Sequence, residues 1–141
     1  RCKSHATCAF LNRVVFVFNH AKTSLIKKIT PTFLTDQSLS KLRMADKIVN
    51  DLLQQNNLLQ KISQVPVILI PIDFDGGDKH SVVIRPFMTN DFMTGLAATP
   101  GKEIPFVVIE NMVKQILQKV AGVSRVLYDL TSKPPGTTEW E

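Results

Sequence analysis

Gln64-Val65-Pro66-Val67-Ile68-Leu69-Ile70-Pro71-Ile72, then Asp73-Phe74-Asp75-Gly76-Gly77-Asp78, then Ser81-Val82-Val83-Ile84-Arg85-Pro86-Phe87 is the passage that decides how this chain folds. Two β-branched runs flank a segment of aspartate and glycine, the chemistry of a tight reversal, so residues 64–72 and 81–87 are predicted to pair as a hairpin. Val67-Ile68-Leu69-Ile70 and Val82-Val83-Ile84 do not alternate between apolar and polar residues. A sheet with one wet face alternates; one covered on both faces does not. The second face is therefore expected to meet another chain or domain.

Helical periodicity lies on either side. Leu39, Leu42, Ala45, Ile48, Val49, Leu52 and Leu53 recur at steps of three and four, with Lys41, Asp46, Lys47 and Asp51 elsewhere on the turn. That pattern predicts a long amphipathic helix, started after Thr30-Pro31-Thr32 and capped by Asp36. Ile109, Met112, Val113, Ile116, Leu117 and Val120 mark a second helix, with Pro105 in its first turn and Gly122 at its end. Residues 123–130 read as the last strand. Asn12-Arg13-Val14-Val15-Phe16-Val17-Phe18 reads as a strand ahead of everything else. The expected fold is α+β: a two-layer antiparallel sheet with two helices in α-β-β-α-β order, preceded by one extra strand. Leu11-Asn12-Arg13-Val14-Val15-Phe16 echoes Val123-Ser124-Arg125-Val126-Leu127-Tyr128, so residues 1–30 are read as the end of a preceding unit plus a linker, and residues 31–141 as the domain proper.

Composition narrows the functional classes. The chain has 141 residues, 44% of them hydrophobic and 21% charged, which suits one globular unit. It opens at Arg1 without a methionine or a signal-type leader, so a piece of a longer protein is expected. The longest apolar run is far short of the roughly 20 residues a membrane-spanning helix needs. Cys2 and Cys8 are too few for a disulfide framework or a zinc site, which points to a reducing, cytosolic compartment. Seventeen Lys and Arg against 12 Asp and Glu leave a charge of +5, suited to an anionic partner such as a nucleotide phosphate or a nucleic acid. His5, His20 and His80 have no paired spacing that would hold a metal. Asp73, Asp75 and Asp78 lack the twelfth-position glutamate of a calcium loop, where Ile84 stands.

Asn90-Asp91-Phe92-Met93-Thr94-Gly95, Ser124-Arg125-Val126-Leu127-Tyr128-Asp129 and the closing Ser132-Lys133-Pro134-Pro135-Gly136-Thr137-Thr138-Glu139-Trp140-Glu141 resemble the C-terminal end of GMP synthase. Asn12-Arg13-Val14-Val15, Pro31-Thr32-Phe33-Leu34-Thr35 and Lys61-Ile62-Ser63-Gln64-Val65-Pro66 resemble the animal-type enzyme, whose duplicated unit gives the echo a reason. The resemblance implies a parent enzyme that uses ATP, with Mg, to adenylate XMP and then installs ammonia drawn from glutamine, releasing GMP, AMP and pyrophosphate. The Ser-Gly-Gly-Val-Asp-Ser phosphate loop of its ATP pyrophosphatase domain and the Cys-His-Glu set of its glutaminase are not in this sequence. No catalytic residue, metal or cofactor is expected here, and the chain alone should be inactive. What remains matches the family's dimerisation domain, which pairs with a second copy, adjoins the upstream ATP pyrophosphatase domain and completes the XMP site.

The resemblance assigns XMP contacts to Gln64, Lys133, Thr138 and Glu139. Lys133 would meet a phosphate as a point charge, and Glu139 would accept from base or ribose donors beside Thr138. Where relatives carry Ile at the position of Thr138, the contact implied is a main-chain one. Without the resemblance, this ending reads as an exposed terminus and Gln64 as a polar strand-edge residue. Arg85 and Asp91 are read as supports of the site, paired to each other to hold the Asn90–Gly95 loop, with an approach to substrate as the alternative, and Trp140 as a plug for the tail rather than an exposed aromatic. Two other classes compete: a nucleic-acid-binding α+β module and a dimerisation domain without substrate contact. The first lacks a Gly-X-X-Gly loop and paired stacking aromatics; Phe16, Phe18 and Tyr128 suit a core better.

Overall fold

A computed structural model describes residues 15–18, 26–91, 93–138 and 140. In chain order the elements are β1 (Val15–Phe18), β2 (Lys28–Ile29), α1 (Asp36–Gln55), β3 (Val67–Ile70), β4 (Ile72–Asp73), β5 (His80–Ile84), β6 (Phe87–Met88), β7 (Leu96–Ala97), α2 (Phe106–Lys119) and β8 (Val123–Asp129). The class is α+β, as the periodicities require. The main sheet runs β1-β8-β5-β3, and β2 with β4 and β6 with β7 form two short satellite ladders.

The predicted hairpin is present: β3 pairs antiparallel with β5, Val67 opposite Ile84 and Ile70 opposite Ser81. Pro71 ends β3, because a proline offers no N–H to the ladder. Ile72 and Asp73 then turn aside to pair with β2, Ile29 opposite Ile72. The expected antiparallel pattern holds at β3/β5 and at β1/β8. It gives way at the centre, where β5 and β8 are parallel, Ile84 opposite Tyr128. The cause is α2: a helix between two neighbouring strands returns the chain to the starting edge, so the second strand runs with the first. Of the leading strand, Val15–Phe18 lies at the sheet edge against β8, and Asn12-Arg13-Val14 falls outside the described residues.

Both helices cover one face. Ala45, Ile48, Val49, Leu52 and Leu53 of α1 and Val108, Ile109, Met112 and Ile116 of α2 bury against Val82, Ile84, Val126 and Tyr128. These strand positions are two apart, which puts them on one side of the pleat. Thr35, not Asp36, caps α1: its hydroxyl accepts from the Ser38 N–H at 3.3 Å, and Asp36 lies in the first turn, where a negative charge suits the helix dipole. The opposite face is different in kind. Ser81, Arg85, Arg125 and Asp129 are buried there beside Val83, so much of that covered face is polar. Arg125 lies flat on the Phe74 ring, 3.8 Å from its centre.

The turn between β4 and β5 is organised by Asp73. Burial works against its charge, and N–H groups of Lys79, Asp75 and Gly76 outweigh that, holding the carboxyl below its ordinary range. At the start of β5, His80 is 5% exposed. Thr32 Oγ1 gives its proton to the Thr30 carbonyl, so the His80 Nε2–H donates to Thr32 at 2.8 Å and Nδ1 accepts from Lys41 at 3.4 Å. Burial and then the Lys41 charge push the imidazole pKa down, against a smaller pull from Asp73. In the unfolded chain His80 takes a proton near its ordinary value of 6.5, and in the fold only at lower pH. Stability should therefore fall as pH drops through that interval. Urea denaturation at about pH 7.5 and about pH 5.5 should show the loss, and His80→Gln should flatten it; Asp73 adds its own loss only at more acidic pH. Equal slopes for the two proteins would contradict this assignment.

Candidate functional site

The sequence singles out residues spread over more than half the chain, and short ladders beyond the carboxyl ends of β5 and β8 gather several of them. Gln64 exchanges backbone hydrogen bonds with Phe87: Phe87 N–H donates to the Gln64 carbonyl at 2.9 Å, and Gln64 N–H to the Phe87 carbonyl at 3.2 Å. Phe87 and Met88 pair with Ala97 and Leu96. Gly95 then exchanges two bonds of 2.8 Å with Lys133. Three strand spacings thus separate the backbones of Gln64 and Lys133, roughly 14 Å. Gly95 allows the close passage, since a Cβ there would stand 2.8 Å from the Phe87 ring. The side chain of Gln64 is exposed, that of Lys133 half-buried.

Arg85 and Asp91 do not pair. Asp91 closes the β6–β7 turn, accepting from the N–H groups of Thr94 at 2.8 Å and Met93 at 2.9 Å, and from the Thr94 and Thr89 hydroxyls. Those N–H groups hold its carboxyl below the ordinary range. Arg85 instead meets Asp129, because the parallel register that sets Ile84 beside Tyr128 sets the next residue of each strand side by side. Its Nη1 donates to Asp129 Oδ2 at 2.8 Å and to the Thr131 carbonyl at 2.7 Å. Both side chains of the pair are nearly inaccessible, at 2% and 4% exposure. Two further donors reach the same carboxylate: the Thr131 N–H to Oδ1 at 2.8 Å and the Trp140 indole to Oδ2 at 2.7 Å. A charged acceptor bound by three donors is among the stronger neutralisations a protein interior offers.

The ending is consequently folded. Gly136 N–H donates to the Ser132 carbonyl at 3.0 Å, and Lys133 Nζ donates to Thr138 Oγ1 at 3.0 Å. Lys133 and Thr138 are brought together; Glu139 lies outside the described residues. Trp140 does anchor the tail, but through its indole N–H rather than a buried ring, since 45% of the residue is exposed. Asp129 and Thr131 escaped notice in the sequence; an aspartate ending an apolar strand just before a proline-rich tail was the available signal. Tyr128 is a core residue, its hydroxyl donating to the Ala98 carbonyl and burial pushing its pKa up. Among the described residues no cluster of His, Cys, Asp and Glu is suited to a metal ion, and no helix is long and apolar enough to cross a membrane.

Comparison with known proteins converges on one family. Residues 50–140 match the family described as GMP synthase C terminal domain. The chain is 46% identical over 142 residues to a glutamine-hydrolysing GMP synthase of Dictyostelium discoideum, covering 94% of this chain and 20% of that protein. It is 46% identical over 147 residues to a probable glutamine-hydrolysing GMP synthase of Caenorhabditis elegans, covering 93% and 20%. A GMP synthase of Spiroplasma kunkelii is 38% identical over 114 residues, 77% of this chain and 22% of that one. The chain thus spans about a fifth of the length of the curated relatives it matches.

Arg85→Ala would leave the Asp129 charge buried without its cation. A loss of about 3–5 kcal/mol in unfolding free energy is expected, measured by urea titration; a loss below about 1 kcal/mol would show that the pair does not hold this end of the sheet.

Proposed function

The chain belongs to the GMP synthase C-terminal domain family, and from that membership we propose that it is the closing part of a glutamine-hydrolysing GMP synthase, where it completes the XMP site and joins two subunits. The parent enzyme would activate the xanthine oxygen of XMP with ATP and displace it with ammonia from glutamine. ATP, Mg and the chemical steps belong to the upstream ATP pyrophosphatase and glutaminase domains, and the whole acts in the cytosol. This chain would contribute binding, holding XMP where those domains act on it.

The convergence of Gln64, Lys133 and Thr138 on one end of the sheet carries this reading. They arrive from a strand approach and from the tail, and the ladder through Phe87, Ala97 and Gly95 fixes their spacing. Lys133 would face the nucleotide phosphate, with its ammonium steadied on Thr138 Oγ1. Gln64, whose backbone lies roughly 14 Å from that of Lys133 along the ladder, carries an amide that offers both a donor and an acceptor to the other end of the ligand. Thr138 would contribute through its main chain, because its hydroxyl already accepts from Lys133. Glu139 follows in sequence and would accept from base or ribose donors.

Calorimetry of XMP binding to the full-length synthase should show losses of roughly 1–3 kcal/mol for Lys133→Ala and for Gln64→Ala, the range for hydrogen bonds to charged groups or buried partners. Unchanged affinity in both variants would remove substrate contact from the function and leave subunit pairing.

A further inference from the structure

We propose that Arg85 and Trp140 are positioning residues for nucleotide recognition: with Asp129 they clasp residues 131–138 and Trp140 into a strap, so that Lys133 and Thr138 are held in place before XMP arrives. The proposal rests on the reading of Lys133 and Thr138 as XMP contacts. Its structural basis is that one buried carboxylate fastens both ends of the strap. At the near end, Asp129 Oδ1 accepts from the Thr131 N–H at 2.8 Å while Arg85 Nη1 binds the Thr131 carbonyl at 2.7 Å. At the far end, the Trp140 indole donates to Asp129 Oδ2 at 2.7 Å, the oxygen that Arg85 also holds at 2.8 Å.

The far contact is the one that needs explaining. Trp140 has φ +64, a left-handed conformation that a residue with a Cβ adopts only when its surroundings impose it. The indole bond to a charged acceptor holds it there. Arg85 in turn fixes the carboxylate, and at 2% exposure it has no surface to offer a ligand; its influence on the site passes through Asp129 and the strap. Its Nη2 lies against the strap at Gly136, 2.7 Å from where a Cβ on that residue would stand. Inside the strap, the Lys133 bond to Thr138 Oγ1 and the Gly136 bond to the Ser132 carbonyl keep the enclosed residues in a fixed turn. A ligand that meets a strap already ordered does not have to order it, which strengthens binding without adding a contact.

The clasp makes a distinctive kinetic signature, because positioning of a binding element changes ground-state affinity and leaves the chemistry to the other domains. In the full-length synthase, Trp140→Phe keeps an aromatic side chain and removes the indole N–H donor; KM for XMP should rise about five- to tenfold with kcat within about twofold of wild type. Arg85→Lys keeps the charge but removes the guanidinium, whose Nη1 serves Asp129 and Thr131 together while Nη2 packs at Gly136, and should give the same split although it cannot touch XMP. In the 141-residue chain Trp140 is the sole tryptophan, so its emission reports the strap alone, and Arg85→Lys should shift it to the red and expose it to acrylamide quenching. If Lys133→Ala raises KM and Trp140→Phe does not, the clasp is wrong and the XMP reading stands. If neither variant moves KM, the XMP reading fails and the clasp loses its function with it. A fall in kcat at unchanged KM for Trp140→Phe would also overturn the proposal.

Discussion

The parallel register of β5 and β8 is the constraint on which this end of the molecule depends. It sets Ile84 beside Tyr128 on the helix-covered face and therefore Arg85 beside Asp129 on the other. One consequence is hydrophobic: Val82, Ile84, Val126 and Tyr128 present a continuous surface to α1 and α2. The other is electrostatic. A guanidinium and a carboxylate, neither of which would enter the interior alone, enter it as a pair and become the fixed point for the chain's ending. Packing on one face and tail attachment on the other follow from a single alignment of strands.

Elements defined by short-range pattern were legible in the sequence. The stripes of α1 and α2 come from steps of three and four, and the β3/β5 hairpin from two β-branched runs around Asp73-Phe74-Asp75-Gly76-Gly77-Asp78. Errors of detail fell at boundaries, as with Thr35 in place of Asp36 as the α1 cap, where two adjacent residues both have the required chemistry. The lone β2 strand pairing with β4 was not legible, since two residues, Lys28 and Ile29, carry no periodicity.

Long-range pairings were the part that sequence could not supply. Arg85 and Asp129 are 44 residues apart, and nothing in either neighbourhood names the other; Asp91 was nearer and of the right charge. Asp91 was unavailable because the backbone of its own turn had already claimed it, with Met93 and Thr94 closing the loop at 2.9 and 2.8 Å. The same holds for the sheet's centre, where the direction of β8 depends on how α2 crosses over rather than on the residues of β8. For the candidate site the family likeness named the residues, and the ladders from Gln64 to Lys133, which no local pattern announces, connect two of them through the backbone.

The central claim is that the ending of this chain completes a nucleotide site built on the rest of the enzyme. Removing residues 133–141 tests it most directly, because the Arg85–Asp129 pair and the Thr131 anchor lie before the cut and keep the sheet intact. XMP titration of the full-length synthase, with and without that segment, should show a fall in affinity of at least about tenfold at unchanged subunit pairing. Undiminished XMP affinity in the shortened protein would contradict the account.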